Sequence, residues 1–292
     1  MPPAGLARPG RRAIPDWGQR TYVMGIINLT PDSFAGDGLD GDVGAALERI
    51  CHMVAEGADI VDLGAQSTRP GSQPISEAEE LDRLVPVLGA LRDETTSLIS
   101  VDTSKASVAA EALRLGADLV NDVTAMRGDA GMLGVAREAG VPVVLMHNSA
   151  AKAQVSTENR IGAYVTEGRH DQGVVEDVVD DLGSMCRRAV EEGLGRDQII
   201  VDPGIGFGKT PDQNLKLINR LDQVARLGFP VLIGVSRKSF IGRILDAPPE
   251  DRLEGTAAAV ALGIARGANI VRVHDVRSMV RVSRTCDAIL RS

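Results

Sequence analysis

Hydrophobic and polar positions along this chain form a unit that recurs eight times. Each unit holds a short apolar run, a polar residue at its end, a loop and an amphipathic segment with helical spacing. The apolar runs predict strands at residues 22–27, 60–63, 98–101, 119–120, 141–146, 199–201, 231–235 and 270–273. The amphipathic segments predict helices at 43–56, 76–92, 105–115, 131–138, 174–191, 214–227, 254–266 and 276–290.

Repeated strand–helix units without a long linker predict an α/β fold, a (β/α)8 or TIM barrel formed as a single domain. Eight parallel strands can close on themselves and leave no open edge, and a chain of 292 residues is long enough to do so. A doubly wound open sheet is the structural alternative. We expect the barrel domain over residues 21–292, preceded by a short N-terminal extension, 1–20, with Trp17 at the barrel floor.

The connection between about residue 148 and residue 173 is longer than the others, polar and weakly patterned. Connections of this length are usually functional or mobile. Because it follows the fifth predicted strand, we expect it at the mouth of the barrel, the face where the strands end.

Composition and charge narrow the class of protein. Hydrophobic residues make up 43% and aromatic residues only 2%, so the core must be aliphatic. A net charge of −8 argues against a nucleic-acid partner. No run approaches the ~20 apolar residues of a membrane helix, and the first residues lack the apolar segment of a signal peptide. Cys51, Cys186 and Cys286 have no metal or redox spacing, which predicts free thiols in a reducing, cytoplasmic compartment.

Polar or charged residues stand at the ends of the predicted strands, and the strand ends form the active face of such a barrel. Any one of them alone would be read as a cap or a solvated loop residue. Their joint appearance predicts one site at the mouth. They are Asn28, Asp62, Asp102, Asn121, Asp122, His147, Asp202, Ser236, Arg237, Lys238, Arg272 and His274.

One group of these residues favours a planar heterocycle. Carboxylates accept paired N–H groups, an amide both donates and accepts, and an ammonium contacts ring carbonyl or nitrogen atoms. A fused amino-oxo pyrimidine suits Asp102, Asn121, Asp202 and Lys238. The glycine-rich loop after the sixth strand, 203–209, lets a ligand approach the backbone, but it matches neither the dinucleotide fingerprint nor the Walker pattern.

A second group favours an anion. Arg69, Arg272 and His274, with the hydroxyls of Ser67 and Thr68, could bind a phosphate or pyrophosphate. Asn28 offers a hard oxygen ligand for Mg2+, which keeps most of its waters and bridges phosphates.

For three residues, a purely structural role competes with a functional one. Asp62 is expected to fill the barrel interior through hydrogen bonds. Asp122 should face the opposite side of its strand from Asn121 and cap a loop. Lys209 either pairs with a carboxylate or contacts the ligand.

Eight short motifs resemble those of the dihydropteroate synthases, in that family's order, from about residue 22 to the C-terminus. They are MGIINLTPDSF at 24–34, STRPG at 67–71, SVDTSK at 100–105, NDV at 121–123, LMH at 145–147, DPGIGFGK at 202–209, SRKSFIG at 236–242 and RVHDV at 272–276.

The resemblance implies a transferase of folate synthesis. It would condense 6-hydroxymethyl-7,8-dihydropterin pyrophosphate with p-aminobenzoate, giving 7,8-dihydropteroate and pyrophosphate, and it would be a Mg2+-dependent homodimer and a sulfonamide target. By motif position, the implied catalytic residues are Asp32, Arg69, Asp102, Lys238, Arg272 and His274. The pterin pyrophosphate would contact Thr68, Arg69, Asp102, Asn121, Met146, Asp202, Lys238, Arg272 and His274, and p-aminobenzoate would contact Phe34, Pro70, Phe207, Lys238 and Ser239, with Asn28 on the metal.

Two departures from the family pattern keep other functions open. The second loop commonly reads GGES where this chain has Gly64, Ala65, Gln66 and Ser67, and the usual motif after Met146-His147 is absent. One alternative is another pterin-binding barrel, such as a methyltetrahydrofolate methyltransferase, which has little use for a pyrophosphate site. The other is a catalytically silent paralogue that binds or regulates.

Overall fold

A computed structural model describes residues 12–30, 42–67, 73–91, 95–150, 154–158, 161–167 and 173–292. Eight parallel strands form the sheet. In chain order they are β1 (Tyr22–Asn28), β2 (Ile60–Gly64), β3 (Leu98–Asp102), β4 (Leu119–Asp122), β5 (Val143–Met146), β8 (Ile199–Asp202), β9 (Leu232–Ile233) and β10 (Ile270–Val273). Their spatial order is β8-β5-β4-β3-β2-β1-β10-β9, and a parallel bridge from Val201 to Val231 joins the two ends. The predicted barrel is confirmed.

Helices surround the sheet. They are α1 (Val43–Ala55), α2 (Glu77–Leu91), α3 (Ala106–Arg114), α4 (Met132–Ala139), α5 (Val174–Glu191), α6 (Pro211–Asn219), α7 (Leu221–Ala225), α8 (Ser239–Leu245), α9 (Leu253–Ala265) and α10 (Val276–Leu290). In the described ranges, no helix combines the length and apolar character needed to cross a membrane.

Three predicted boundaries are wrong for local reasons. The helix expected over 214–227 begins earlier, at Pro211, because Thr210 and Gln213 form a capping box, and it breaks at Arg220 into α6 and α7. The strand expected over 231–235 is only Leu232–Ile233, between Pro230 and Gly234. The short helix α8 was not predicted, because its seven residues are too few to show a helical pattern.

The long connection contains an antiparallel hairpin that the sequence did not predict. Its strands are β6 (Gln154–Glu158) and β7 (Gly162–Glu167), which pair only with each other. Alternation is visible in QVSTE and GAYVTE, but polar residues on both sides of each segment conceal it. The expectation of a connection at the mouth stands, with a defined structure in place of an irregular loop.

Inside the barrel, the lower half is a closed apolar layer. Every second residue of a strand faces inward. The layer is made by Tyr22, Met24, Ile60, Leu98, Leu119, Val144, Ile200, Leu232 and Ile270, and Trp17 packs beneath it. The Trp17 ring meets Tyr22 edge to face, with 5.1 Å between ring centroids. Residues of opposite parity pack outward against the helices in a larger cluster.

Trp17 is expected to stabilise the barrel from below, although it precedes the first strand. Trp17→Ala should lower the free energy of unfolding by roughly 3 kcal/mol, because a large buried ring leaves a cavity that the rigid strands cannot fill. Urea unfolding followed by circular dichroism measures this, with Trp17→Phe as the conservative control. A loss below roughly 1 kcal/mol for Trp17→Ala would contradict a packing role for this ring.

Candidate active site

The alternation that builds the apolar layer also selects the polar residues above it. Two residues beyond Ile60, Leu119, Ile200 and Ile270 come Asp62, Asn121, Asp202 and Arg272, which therefore face the interior as well. Four residues beyond Met24 and Leu98 come Asn28 and Asp102. Two to four residues along each strand thus separate the apolar lower layer of the barrel interior from the polar and charged layer above it.

A cavity of about 760 Å3 opens above this layer at the C-terminal ends of the strands. It brings together ten of the residues predicted for the site, namely Asn28, Asp102, Asn121, Met146, Asp202, Phe207, Lys238, Ser239, Arg272 and His274. The other predicted site residues, Asp32, Phe34, Thr68, Arg69 and Pro70, lie outside the described residues. Ser67, just before the second of these gaps, lines the cavity.

Arg272 lies between two carboxylates at the bottom of the cavity. Its Nε donates to Asp62 Oδ2 at 2.6 Å and its Nη2 donates to Asp102 Oδ2 at 2.9 Å. Asn121 Nδ2 donates to the same Asp62 oxygen at 3.1 Å. Arg272 was predicted to bind an anion, and here its guanidinium is also the counter-ion of two buried acids.

Burial raises the pKa of both carboxyls that face the cavity. The pKa of Asp102 rises to about 7, chiefly through loss of solvent, while the positive charge of Arg272 opposes the rise and Asp62 adds to it. Burial raises the pKa of Asp202 to about 6, against the Gly204 N–H that donates to its Oδ1 at 2.7 Å and the positive charge of Lys238. Above these pKa values, each group is a carboxylate that can accept N–H groups from a ligand.

Two glycines make the loop after β8 possible. Gly204 and Gly208 both have positive φ, and a Cβ atom at Gly204 would stand 1.9 Å from the His147 carbonyl oxygen. A Cβ atom at Gly208 would stand 2.3 Å from the Ser149 backbone. The loop therefore packs directly against the chain that leaves β5.

Lys209 fastens this loop from inside. Its buried ammonium donates to the carbonyl oxygens of Gly204 at 2.9 Å, Phe207 at 3.0 Å and His147 at 3.3 Å. Burial lowers its pKa to about 7. The described hydrogen-bond partners of Lys209 are thus backbone carbonyls and not a carboxylate, and Lys209 is also among the residues that line the cavity.

In the SRK segment after β9, the side chains of Arg237 and Lys238 contact different partners. Arg237, with φ of 56°, forms an ion pair with Asp275 at 2.7 Å, before the start of α10. Lys238 Nζ lies 4.3 Å from the centroid of the Phe207 ring. Lys238 and Phe207 therefore form one wall of the cavity, with a cation held over an aromatic face.

The two strand-end histidines have different environments. His274 lines the cavity, and its Nδ1 lies 2.9 Å from Ser236 Oγ. His147 is buried, and its Nε2 lies 3.3 Å from Asp181 of α5. Only His274 can join an anion site at the mouth.

Asp62 and Asp122 behave as the sequence indicated. Asp62 is fully buried and makes hydrogen bonds in the barrel interior. Asp122 faces away from Asn121 and accepts hydrogen bonds from the backbone N–H groups of Thr124 and Met126 in the loop that follows.

The donor set for a metal is small. Across the described ranges, no group of three His, Cys, Asp or Glu residues could hold an ion. Asn28 supplies one hard amide oxygen at the cavity. That set fits a Mg2+ ion whose remaining ligands come from a bound phosphate and water, and it does not fit a metal held by protein alone.

The hairpin contributes a wall of the cavity that sequence reasoning missed. Ile161, Tyr164 and Val165 line the cavity. Arg252 Nη2 donates to the Ile161 carbonyl at 3.0 Å, and Arg243 lies 4.5 Å from the centroid of the Tyr164 ring. Both arginines follow β9, so the hairpin, which leaves the barrel after β5, is attached two strands further around the mouth.

Comparisons with known proteins agree with this geometry. The profile of the pterin-binding enzymes matches residues 24–274. A dihydropteroate synthase from Bacillus subtilis is 44% identical over 272 residues, 93% of this chain and 90% of the relative. A Clostridium difficile dihydropteroate synthase, solved in the presence of pteroic acid, aligns with a TM-score of 0.85 and 41% identity over 96% of this chain and 100% of that one. One from Xanthomonas albilineans, solved with 4-aminobenzoic acid, aligns with a TM-score of 0.82 and 37% identity, covering 94% of each chain.

The two raised pKa values are directly measurable. Carboxyl-carbon NMR of isotope-labelled protein should show Asp202 titrating near 6 and Asp102 near 7. Both groups are protonated below these values, so a ligand that donates N–H groups should bind more weakly as the pH falls through them. Asp129 is the control, because backbone N–H groups of Ala106 and Gly131 hold its pKa below the usual range. Titration of Asp102 and Asp202 near 4 would show that the cavity carboxyls are solvated.

Proposed function

The chain belongs to the dihydropteroate synthase family of pterin-binding enzymes, and we propose that it catalyses that family's condensation. The substrates are 6-hydroxymethyl-7,8-dihydropterin pyrophosphate and p-aminobenzoate, and the products are 7,8-dihydropteroate and pyrophosphate. The observation that carries the proposal is the convergence of Asp102, Asn121, Asp202 and Lys238 on one cavity. These groups came from four separate strands and loops, and they match the hydrogen-bonding edge of a pterin.

The pterin ring binds against the charged layer. Asp202 and Asp102 accept N–H groups of the ring, Asn121 contributes its amide, and Lys238 contacts a ring carbonyl or nitrogen atom. Met146 packs on the ring from the strand beside Asp202. The burial of both acids supports this role, because a carboxylate removed from water gains more from paired N–H donors than an exposed one does.

Pyrophosphate leaves from the methylene carbon next to the ring. Breaking the C–O bond gives that carbon cationic character, which Asp102 stabilises, and the amine of p-aminobenzoate attacks to form the new C–N bond and then loses a proton. Arg272 and His274 bind the departing pyrophosphate, together with Thr68 and Arg69. Mg2+ held at Asn28 would neutralise further charge on this leaving group.

The p-aminobenzoate ring binds nearer the mouth. Phe207, Lys238 and Ser239 line the part of the cavity where this ring would lie. The family motifs add Asp32, Phe34 and Pro70, which lie outside the described residues. Ser239 is the first residue of α8, where free backbone N–H groups favour the carboxylate of this substrate.

The second loop departs from the family pattern, but this difference does not remove the binding residues from the site. Gln66 Oε1 accepts a hydrogen bond from Lys105 Nζ at 2.6 Å, so the side chain ties the loop to the start of α3. All four heterocycle-binding residues remain at the cavity. These features argue against a silent paralogue. Arg272 and His274 beside them argue against a methyltransferase, which handles no pyrophosphate.

The reaction predicts that pyrophosphate is released only when Mg2+ and both substrates are present. Asp202→Ala should weaken pterin binding by roughly 100-fold, because two charge-assisted hydrogen bonds are lost. Calorimetric binding and a coupled pyrophosphate assay measure the two effects. Asp197→Ala, in the helical turn that precedes the same strand, is the matched control and should bind the pterin normally. Intact pterin binding without turnover in the unaltered protein would favour the silent paralogue.

A homodimer through the outer helices is the second part of the proposal. Helices α6, α8 and α9 pack together, and they expose Leu215, Ile244 and Leu262, the last two at 61% and 52%. Helix α9 is apolar around most of its circumference, which is typical of a helix covered on all sides.

The exposed thiol of Cys51, with no disulfide among the three described cysteines, is consistent with a reducing, cytoplasmic compartment.

Leu262→Glu should convert the dimer to a monomer, because a buried carboxylate at the interface would have no partner. Light scattering coupled to size-exclusion chromatography gives the mass. Val190→Glu, on α5 and outside this set of helices, is the control and should remain a dimer. A dimer that survives Leu262→Glu would place the interface on another face.

A further inference from the structure

Asp62 is the buried charge of this site that the proposed reaction leaves without a task. Its side chain has 0% exposure, and it is not among the residues that line the cavity. In the strand register its neighbours are Ile26 on β1 and Ser100 on β3, neither of which carries a charge. An apolar residue would cost less at such a position, as the layer below demonstrates.

One carboxylate oxygen of Asp62 connects the two halves of the site. Oδ2 accepts from Asn121 Nδ2 at 3.1 Å and from Arg272 Nε at 2.6 Å. Asn121 belongs to the heterocycle half and Arg272 to the anion half. The other oxygen, Oδ1, is buried and has no hydrogen-bond partner among the described residues. The side chain is therefore held from above by two residues that do line the cavity.

Each hydrogen bond restricts what its donor can offer to a ligand. With Nδ2 directed at Asp62, Asn121 presents its carbonyl oxygen to the cavity and so accepts a ring N–H. With Nε on Asp62 and Nη2 on Asp102, the Arg272 guanidinium is fixed in plane and orientation, and Nη1 remains for an anion.

We propose that Asp62 is a positioning residue for the condensation, which orients Asn121 toward the pterin ring and Arg272 toward the pyrophosphate without touching either. This inference rests on the proposed function. A positioning residue at Asp62 affects binding of the pterin substrate alone, whereas a merely structural acid would affect both substrates. Binding of p-aminobenzoate, which occurs at Phe207 and Ser239 nearer the mouth, should not depend on it.

Asp62→Asn tests the proposal through a difference between the two substrates. The dissociation constant of 6-hydroxymethylpterin should rise roughly tenfold, because the buried hydrogen bond from Asn121 loses its negatively charged acceptor. The pyrophosphate form should lose more than the free pterin, because Arg272 also loses its anchor. KM for p-aminobenzoate should stay within about twofold. Equal rises for both substrates, or an unchanged pterin constant, would overturn the proposal.

A double-mutant cycle then asks whether Asp62 acts through Asn121. Losses of pterin affinity in Asp62→Asn and Asn121→Ala should be far from additive, because the first weakens and the second removes the same hydrogen bond. Additive losses would show that Asp62 acts by another route and would overturn this part of the proposal.

The matched control is Asp122→Asn. Asp122 is equally buried and lies on β4, two strands from Asp62, and its described hydrogen-bond partners belong to its own loop. It should lose stability and keep its pterin affinity. If Asp62→Asn fails to fold, Asp62→Ser leaves room for water and is judged by the same criteria.

These measurements also distinguish failure of the inference from failure of the proposed function. The pterin constants need no turnover. If the unaltered protein binds the pterin but releases no pyrophosphate, the condensation is wrong, while the effect of Asp62 on pterin binding is still decided by the same titrations.

Discussion

The closed barrel imposes one constraint from which the rest of the structure follows: every second residue of each strand must share a small interior. At the lower level that interior is filled by aliphatic side chains and sealed by Trp17. At the upper level the same parity delivers acids, amides and a guanidinium. The packed apolar layer and the polar site are therefore only two or four residues apart along a strand. Both depend on the strands keeping their register.

Nearby positive charges stabilise the carboxylates of the upper layer. Asp62, Asp102 and Asp202 are withdrawn from water, and burial raises the pKa of the last two. Arg272 compensates the first two by direct ion pairs, and Lys238 contributes positive potential at the third. A ligand rich in N–H donors completes this balance, because it supplies the hydrogen bonds that the carboxylates lost on burial.

The loops of the mouth are held largely by cations that bond to backbone carbonyls. Lys209 does this inside the glycine-rich loop, and Arg252 does it between the hairpin and the segment after β9. Each brings together pieces of chain far apart in sequence, such as Ile161 and Arg252. A cation with several donors suits this task, because irregular loops leave carbonyl oxygens that no regular ladder satisfies.

The sequence by itself determined the eight-unit barrel and ten of the residues that meet at its mouth, because both depend on local periodicity and on which residues end each strand. It could not predict the break at Arg220, the hairpin or the partners of Lys209. Helix ends depend on capping contacts, and the hairpin depends on arginines far along the chain. Lys209 depends on carbonyls of its own loop and of His147. Only the tertiary structure decided that Asp62 joins Asn121 to Arg272, because strand alternation says which residues face inward but not which of them touch.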